Sequence, residues 1–198
     1  KDLIKNKVVI ELGAGCGLPG FSAAAYCEPS CVYITDIHEP ALDNAKYNLE
    51  LNSKDNDNMI QSLIIEKTDS IRKVPVKILN VNWIDNNSFP NDKADVLLGS
   101  DLVYDDDILS VLVPAVDQML SPQGIFLYVA PITGRAGMIG LLDALSTCGI
   151  ECSREFDCPD EFFANPLVGG DDSMDDCVLH FYDLTAKKPH KCYEFKRA

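Results

Sequence analysis

Three glycines at alternate positions, Gly13, Gly15 and Gly17 in the stretch ELGAGCGLPG, are the first place where this chain offers chemistry. A glycine has no Cβ, so its backbone reaches positive φ and can lie close to a ligand. Leu18 and Pro19 then open a helix, with the proline where a missing N–H costs nothing. The free N–H groups of such a helix start favour a carboxylate or a phosphate. Asp36 follows about 20 residues on, where a strand-end carboxylate accepts hydrogen bonds from two ribose hydroxyls. Taken alone, Asp36 serves equally as a cap for a helix starting at Glu39 or Pro40. Strand, glycine loop, helix, strand and acid in this order form a nucleoside-binding unit.

The register of the glycines decides between two nucleosides. The dinucleotide spacing G-x-G-x-x-G counted from Gly13 puts Leu18 at the third glycine position. Counted from Gly15, it forces the preceding strand through Gly13 and Ala14, a poor strand end. The spacing G-x-G-x-G forces neither. It leaves all three glycines in the loop and suits the methionine end of S-adenosylmethionine, which carries a carboxylate, an ammonium and a sulfonium. Glu11 adds a negative group beside the loop, either toward that ligand or as a strand-end acid with a structural hydrogen bond.

Farther along, Asp101 and Tyr104 stand at a strand end, followed by Asp105, Asp106 and Asp107. Taken alone, Asp101 reads as a strand-end cap and Tyr104 as a residue packed under the next helix. Three adjacent aspartates raise a magnesium site, but adjacent acids on one helix start rarely converge on one ion, and no metal is assigned. His38, His180 and His190 read as structural or exposed. Eight cysteines lack paired C-x-x-C spacing and a secretory leader, which indicates reduced cytosolic thiols.

With 31 acidic and 17 basic side chains, the formal net charge is -14. Such a surface repels nucleic-acid backbones, and it either serves solubility alone or steers cationic segments toward it. No apolar run is long enough to span a bilayer. The 198 residues fit one domain, read here as residues 1–198 and as a monomer in the cytoplasm, with the nucleus as a second compartment.

The elements that must carry these residues alternate. Val8 to Leu12 is a buried strand, Leu18 to Tyr26 a helix, and Val32 to Ile34 a strand closed by Thr35 and Asp36. In HEPALDNAKYNLELN, the apolar Leu42, Ala45 and Leu49 fall on one helical face. Residues 53–58 read as loop, and the rest of 53–73 has no assigned structure. Strands follow at Val76 to Leu79 and in ADVLLGSD. A helix is expected over Asp105 to Leu120, with an acidic first turn and a kink or break at Pro114. The run GIFLYVA is a strand, AGMIGLLDALSTCG a helix, and the tail holds strand candidates at Ile150 to Phe156 and Cys177 to Leu184. The alternation predicts an α/β fold, a Rossmann-like doubly wound, mostly parallel seven-stranded sheet with helices on both faces.

The segments VVIELGAGCGLPG, VYITDIHEPALDNAKYNLELN, NVNW and DLVYDDDILSVLVPAV together resemble the seven-β-strand class I methyltransferases, and specifically methyltransferase family 16, rich in protein-lysine methyltransferases. The resemblance spans roughly residues 3 to 130. It implies that Gly13, Gly15 and Gly17 form the S-adenosylmethionine loop with Glu11 nearby, that Asp36 holds the ribose, and that Asn82 and Trp83 meet the adenine. Family members often carry Asp-Trp there; the Asn82 carbonyl still accepts a hydrogen bond but has no charge. Without the family pattern, Trp83 reads as a packing residue. Asp101-Leu102-Val103-Tyr104 matches the family's D-x-x-Y motif and implies Asp101 and Tyr104 as catalytic, Asp101 orienting an incoming amine and Tyr104 flanking it. The N/D-P-P-Y motif of amide methyltransferases is missing, which favours an alkyl-amine acceptor. The implied partner is a protein carrying the target lysine, and a covering amino-terminal segment is implied ahead of Lys1. A protein histidine or a small amine is the rival acceptor, and a non-catalytic cofactor-binding module the rival class.

Overall fold

The computed structural model describes residues 2–52, 62–67, 70–131, 138–157 and 190–198. In chain order these form β1 (Val8–Leu12), α1 (Leu18–Tyr26), β2 (Cys31–Asp36), α2 (Glu39–Asn52), β3 (Ser62–Lys67), β4 (Ser70–Asn80), β5 (Ala94–Ser100), α3 (Leu109–Met119), β6 (Leu120–Pro131), α4 (Met138–Thr147), β7 (Ile150–Asp157) and β8 (His190–Arg197). They build one sheet in the order β3-β4-β2-β1-β5-β6-β8-β7. Strands β4, β2, β1, β5 and β6 run parallel, and β8 is antiparallel to both β6 and β7.

Six of the seven expected strands are therefore found among the described residues, and the doubly wound α/β sheet stands. An eighth strand, β3, is added at the edge as an antiparallel hairpin on β4, with Lys67 opposite Ser70. It lies in the 53–73 stretch to which no structure was assigned.

Each inner strand is buried on both faces, as parallel strands between two helical layers must be. Side chains alternate along a strand, so neighbours enter different cores. Val9, Val32, Val96 and Ile125 pack with Ala23 and Ala24 of α1 and with Ala45 and Leu49 of α2. Ile10, Tyr33, Leu97 and Phe126 pack on the other side with α3 and α4. The helical face expected of Leu42, Ala45 and Leu49 is the buried face of α2.

Several expectations are corrected or fall outside the described residues. Helix α3 begins at Leu109, not Asp105, and has no acidic residue in its first turn. The acids instead make a turn ahead of it, where Asp105 Oδ1 accepts the Ile108 N–H at 3.2 Å. Pro114 lies inside the helix, which continues past it to Met119. Strand β6 starts at Leu120, four residues before the GIFLYVA run. The candidate strand at 177–184 and the loop at 53–58 lie outside the described residues; the strand beside β7 is His190–Arg197, for which the sequence reading had no signal. No described helix is long and apolar enough to cross a membrane.

Candidate active site

The carboxyl ends of β1, β2, β4 and β5 point the same way, and the chain order of the sheet reverses between β1 and β5. Open parallel sheets bind ligands at such a reversal. Here each strand end delivers a part of one pocket.

After β1 the chain turns through Gly13 at φ 54°, Gly15 at 55° and Gly17 at 80°. These are left-handed values that side chains rarely adopt. A Cβ on Gly13 would stand 2.7 Å from Leu102 Cδ2, so this glycine is also required by contact. Gly15 has nothing within 4 Å on its Cβ side, which leaves that part of the loop open to a ligand. The loop is tied down by Ala14 N–H to the Thr35 carbonyl at 2.9 Å and by Gly17 N–H to the Ala14 carbonyl at 2.8 Å. Gly17 then stands as the left-handed cap from which α1 departs, with Pro19 in its first turn.

Asp36 ends β2 and lines the pocket. Its Oδ2 accepts the Gly15 N–H and its Oδ1 the His38 N–H, both at 2.9 Å. The carboxylate is thus held by backbone on both oxygens, each with acceptor capacity left. It closes a turn onto His38 and does not reach the N–H groups of α2, so the capping role weighed from sequence is not the one observed.

Glu11 is turned away from this pocket and is not in its lining. Its side chain is buried, 3% exposed, and Oε2 accepts the Gly20 N–H of α1 at 2.8 Å. A Cβ on Gly20 would come within 2.6 Å of that oxygen, so a glycine is needed for the helix to approach the acid. Burial pushes the Glu11 carboxyl from 4.5 up to about 7, opposed by the Gly20 N–H and reinforced by the charge of Asp36. The backbone of Glu11 is bound as well, its carbonyl accepting the Thr35 hydroxyl at 2.6 Å.

The segment after β4 forms the opposite wall. Asn82 and Trp83 both line the pocket, and the Trp83 ring lies 3.7 Å from where a Gly13 Cβ would be. Asn82 Oδ1 accepts the Ile84 N–H at 3.1 Å, while the backbone of Asn82 is paired with the Ser88 hydroxyl. Its amide oxygen therefore already shapes the turn.

The wall after β5 is made by Leu102 and Tyr104, followed by Ile108 and Val111 at the start of α3. Asp101 begins this loop with φ 51°, which aspartate tolerates better than most residues. Its N–H donates to the Val129 carbonyl at 2.8 Å. Asp101 is half-buried and stands just outside the pocket lining, whereas the Tyr104 ring is exposed at the mouth. The Tyr128 hydroxyl, reached from β6, accepts the N–H groups of Leu102 at 3.0 Å and Val103 at 3.1 Å. Burial raises the Tyr128 phenol, against the pull of these two donors.

The pocket measures about 410 Å³, within the usual range of small-molecule sites. Of the residues selected from sequence, Gly13, Asp36, Asn82, Trp83 and Tyr104 line it together. Gly15 is joined to it through Asp36, Gly17 shapes the loop, and Glu11 and Asp101 are not among its lining residues. Sequence reading missed the apolar lining at Ile37, Val81, Ile84 and Leu102, and it missed Tyr128. Ile37 and Ile84 carried a signal, since each directly follows a residue already selected. Tyr128 carried none within its apolar run.

Comparison with known proteins follows the same division of the chain. A family model described as lysine methyltransferase matches residues 1–136. Protein N-lysine methyltransferase METTL21A of Danio rerio is 31% identical over 119 residues, 60% of this chain and 46% of that protein. The human protein-lysine N-methyltransferase EEF2KMT is 27% identical over 110 residues, 54% of this chain and 31% of that protein. The chain spans less than half the length of these relatives. Among solved structures, a methyltransferase from Pyrococcus furiosus is similar with a TM-score of 0.63 and 13% identity, over 99% of this chain and 78% of that one. At that identity the likeness is one of fold.

Proposed function

The chain belongs to the lysine methyltransferase family whose model spans residues 1–136, and from that premise we propose that it is an S-adenosylmethionine-dependent N-methyltransferase acting on the side-chain amine of lysine in a protein substrate. The observation that carries this reading is a single pocket with the glycine loop and Asp36 on one side and the Asp101–Tyr104 loop on the other. When bound, the cofactor supplies an electrophilic methyl group on a sulfonium. The open side of Gly15, the first turn of α1 and the ribose-spaced Asp36 are the features that fit it. Trp83 and Asn82 are proposed as its adenine-side neighbours, and Glu11 as a support of the loop acting through α1.

The acceptor amine must arrive neutral and in line. Taking a lysine side chain from its ordinary pKa of about 10.4 to neutral at pH 7 costs roughly 4–5 kcal/mol. A carboxylate close by raises that cost, since it favours the ammonium form. Asp101 is therefore assigned to binding and orienting the amine before proton loss, and the exposed ring of Tyr104 to flanking the lysine stem. The net charge of -14 supports a cationic protein segment as the partner and argues against nucleic acid. The cytoplasm is the proposed compartment, supported by the free thiols of Cys16, Cys27, Cys31, Cys148 and Cys152.

Incubation with radiolabelled S-adenosylmethionine and cell extract tests the reading. Acid-precipitable label that hydrolyses to methyl-lysine is the expected result. Label confined to small molecules, or recovered as methyl-histidine, replaces the acceptor, and donor binding without any transfer replaces the enzyme with a binding module.

A further inference from the structure

Tyr128 lies in the middle of β6, 1% exposed, with its ring 5.7 Å from that of Phe126. Nothing about core packing there requires a hydroxyl, because phenylalanine would fill the same volume. A buried phenol oxygen needs hydrogen-bond partners, and this one accepts two: the backbone N–H groups of Leu102 at 3.0 Å and Val103 at 3.1 Å. These are the two residues between Asp101 and Tyr104. A third bond from the same strand completes the hold, Asp101 N–H to the Val129 carbonyl at 2.8 Å.

The hold has a consequence across the pocket. Leu102, fixed by its N–H, projects one methyl toward Gly13 and the other toward Gly99, where Cβ atoms would stand 2.7 and 2.9 Å away. A Cβ on Gly99 would also lie 3.1 Å from the Tyr128 ring. Two glycines thus make room for one leucine, and that leucine joins the loop after β5 to the loop after β1. We propose that Tyr128 is a positioning residue of the transfer reaction: its hydroxyl fixes the Asp101–Tyr104 loop against the glycine loop and so sets where the acceptor meets the donor. This rests on the methyltransferase reading of the pocket.

Tyr128→Phe keeps the ring and removes the acceptor of two buried N–H groups, an unsatisfied state that the loop would leave by relaxing. Residue-resolved amide exchange should show Leu102 and Val103 losing protection about tenfold or more, with the β1 and β2 amides unchanged. In the same variant kcat should fall by about tenfold while donor Kd stays within about twofold, since a shift of the reacting groups acts on the transfer step. Unchanged exchange, or faster exchange with unaltered kcat and KM, overturns the proposal. If the natural chain binds donor and transfers nothing, the enzymatic reading falls, yet exchange still decides whether Tyr128 holds the loop. Should the variant not fold, the natural chain decides: Leu102 and Val103 amides exchanging far more slowly than those of exposed Asp106 and Asp107 support the hold, and equal rates overturn it.

Discussion

Asp36 Oδ2 accepts the backbone N–H of Gly15 at 2.9 Å, so the carboxylate that ends the second strand is bonded to the centre of the loop that follows the first. One side chain therefore holds the glycine loop and presents acceptor capacity to the pocket. Loss of a hydrogen bond to a charged group costs about 1.5–3 kcal/mol. Asp36→Ala should accordingly weaken S-adenosylmethionine binding by roughly 10- to 150-fold in calorimetric titration, and Asp36→Asn by less, because one acceptor oxygen remains. Equal affinity in the natural chain and Asp36→Ala would remove the ribose-side assignment.

Glu11 makes folding stability depend on pH in an unusual direction. Its carboxyl titrates near 7 when folded against 4.5 when unfolded, chiefly because it is buried. Between those values the folded state holds the extra proton, so stability falls as pH rises from 4.5 toward 7 and levels off above. The full effect is on the order of 3 kcal/mol. Glu11→Gln retains an oxygen for the Gly20 N–H and removes the titration. Urea unfolding at pH 5 and pH 8 should show the variant gaining on the natural chain only at the higher pH; a parallel offset at both would contradict the assignment.

The two glycines at the front of the loop should respond differently to a methyl group. Both have left-handed φ, which costs an alanine about 1–2 kcal/mol. Gly15→Ala meets open space and should lose only that. Gly13→Ala adds a contact of 2.7 Å with the buried Leu102 side chain, for a further ~1–3 kcal/mol. Denaturant midpoints that rank the two variants in the opposite order would mean that Leu102 moves freely.

Asp101 and Tyr104 are assigned to the acceptor, so their loss should leave the donor in place. Asparagine also tolerates the left-handed backbone at position 101, which makes Asp101→Asn a test of charge. Asp101→Asn and Tyr104→Ala should each lower kcat by about a hundredfold with donor Kd within about twofold. A fall in donor affinity at unchanged kcat would move both residues to the cofactor side.

Local signals carried most of what sequence revealed. The glycine spacing, the proline in the first turn of α1 and Asp36 at a strand end are all short-range features, and the structure gathers them at the carboxyl ends of neighbouring strands. The face of Leu42, Ala45 and Leu49 was legible for the same reason. What stayed hidden depends on partners distant in the chain. Tyr128 is 26 residues from Leu102 and looks like one more apolar strand residue until the hydrogen bond is seen. Glu11 was placed near the ligand by sequence proximity, but its side chain alternates away to meet Gly20. The Asp105–Asp107 run satisfies the rule for a helix start, yet the chain spends it on a turn before Leu109.

The two cores differ in the bulk of their side chains. The buried sheet residues facing α1 and α2 are β-branched, Val9, Val32, Ile34, Val74, Val76, Val96 and Ile125. Those facing α3 and α4 include Tyr33, Leu97, Phe126, Tyr128, Tyr193 and Phe195. With oily side chains above and below, polarity cannot tell an inner strand which way up to lie; bulk can. A one-residue slip of β6 would drive Phe126 and Tyr128 into the layer shared with alanines, a misfit of size that leaves hydrophobicity intact.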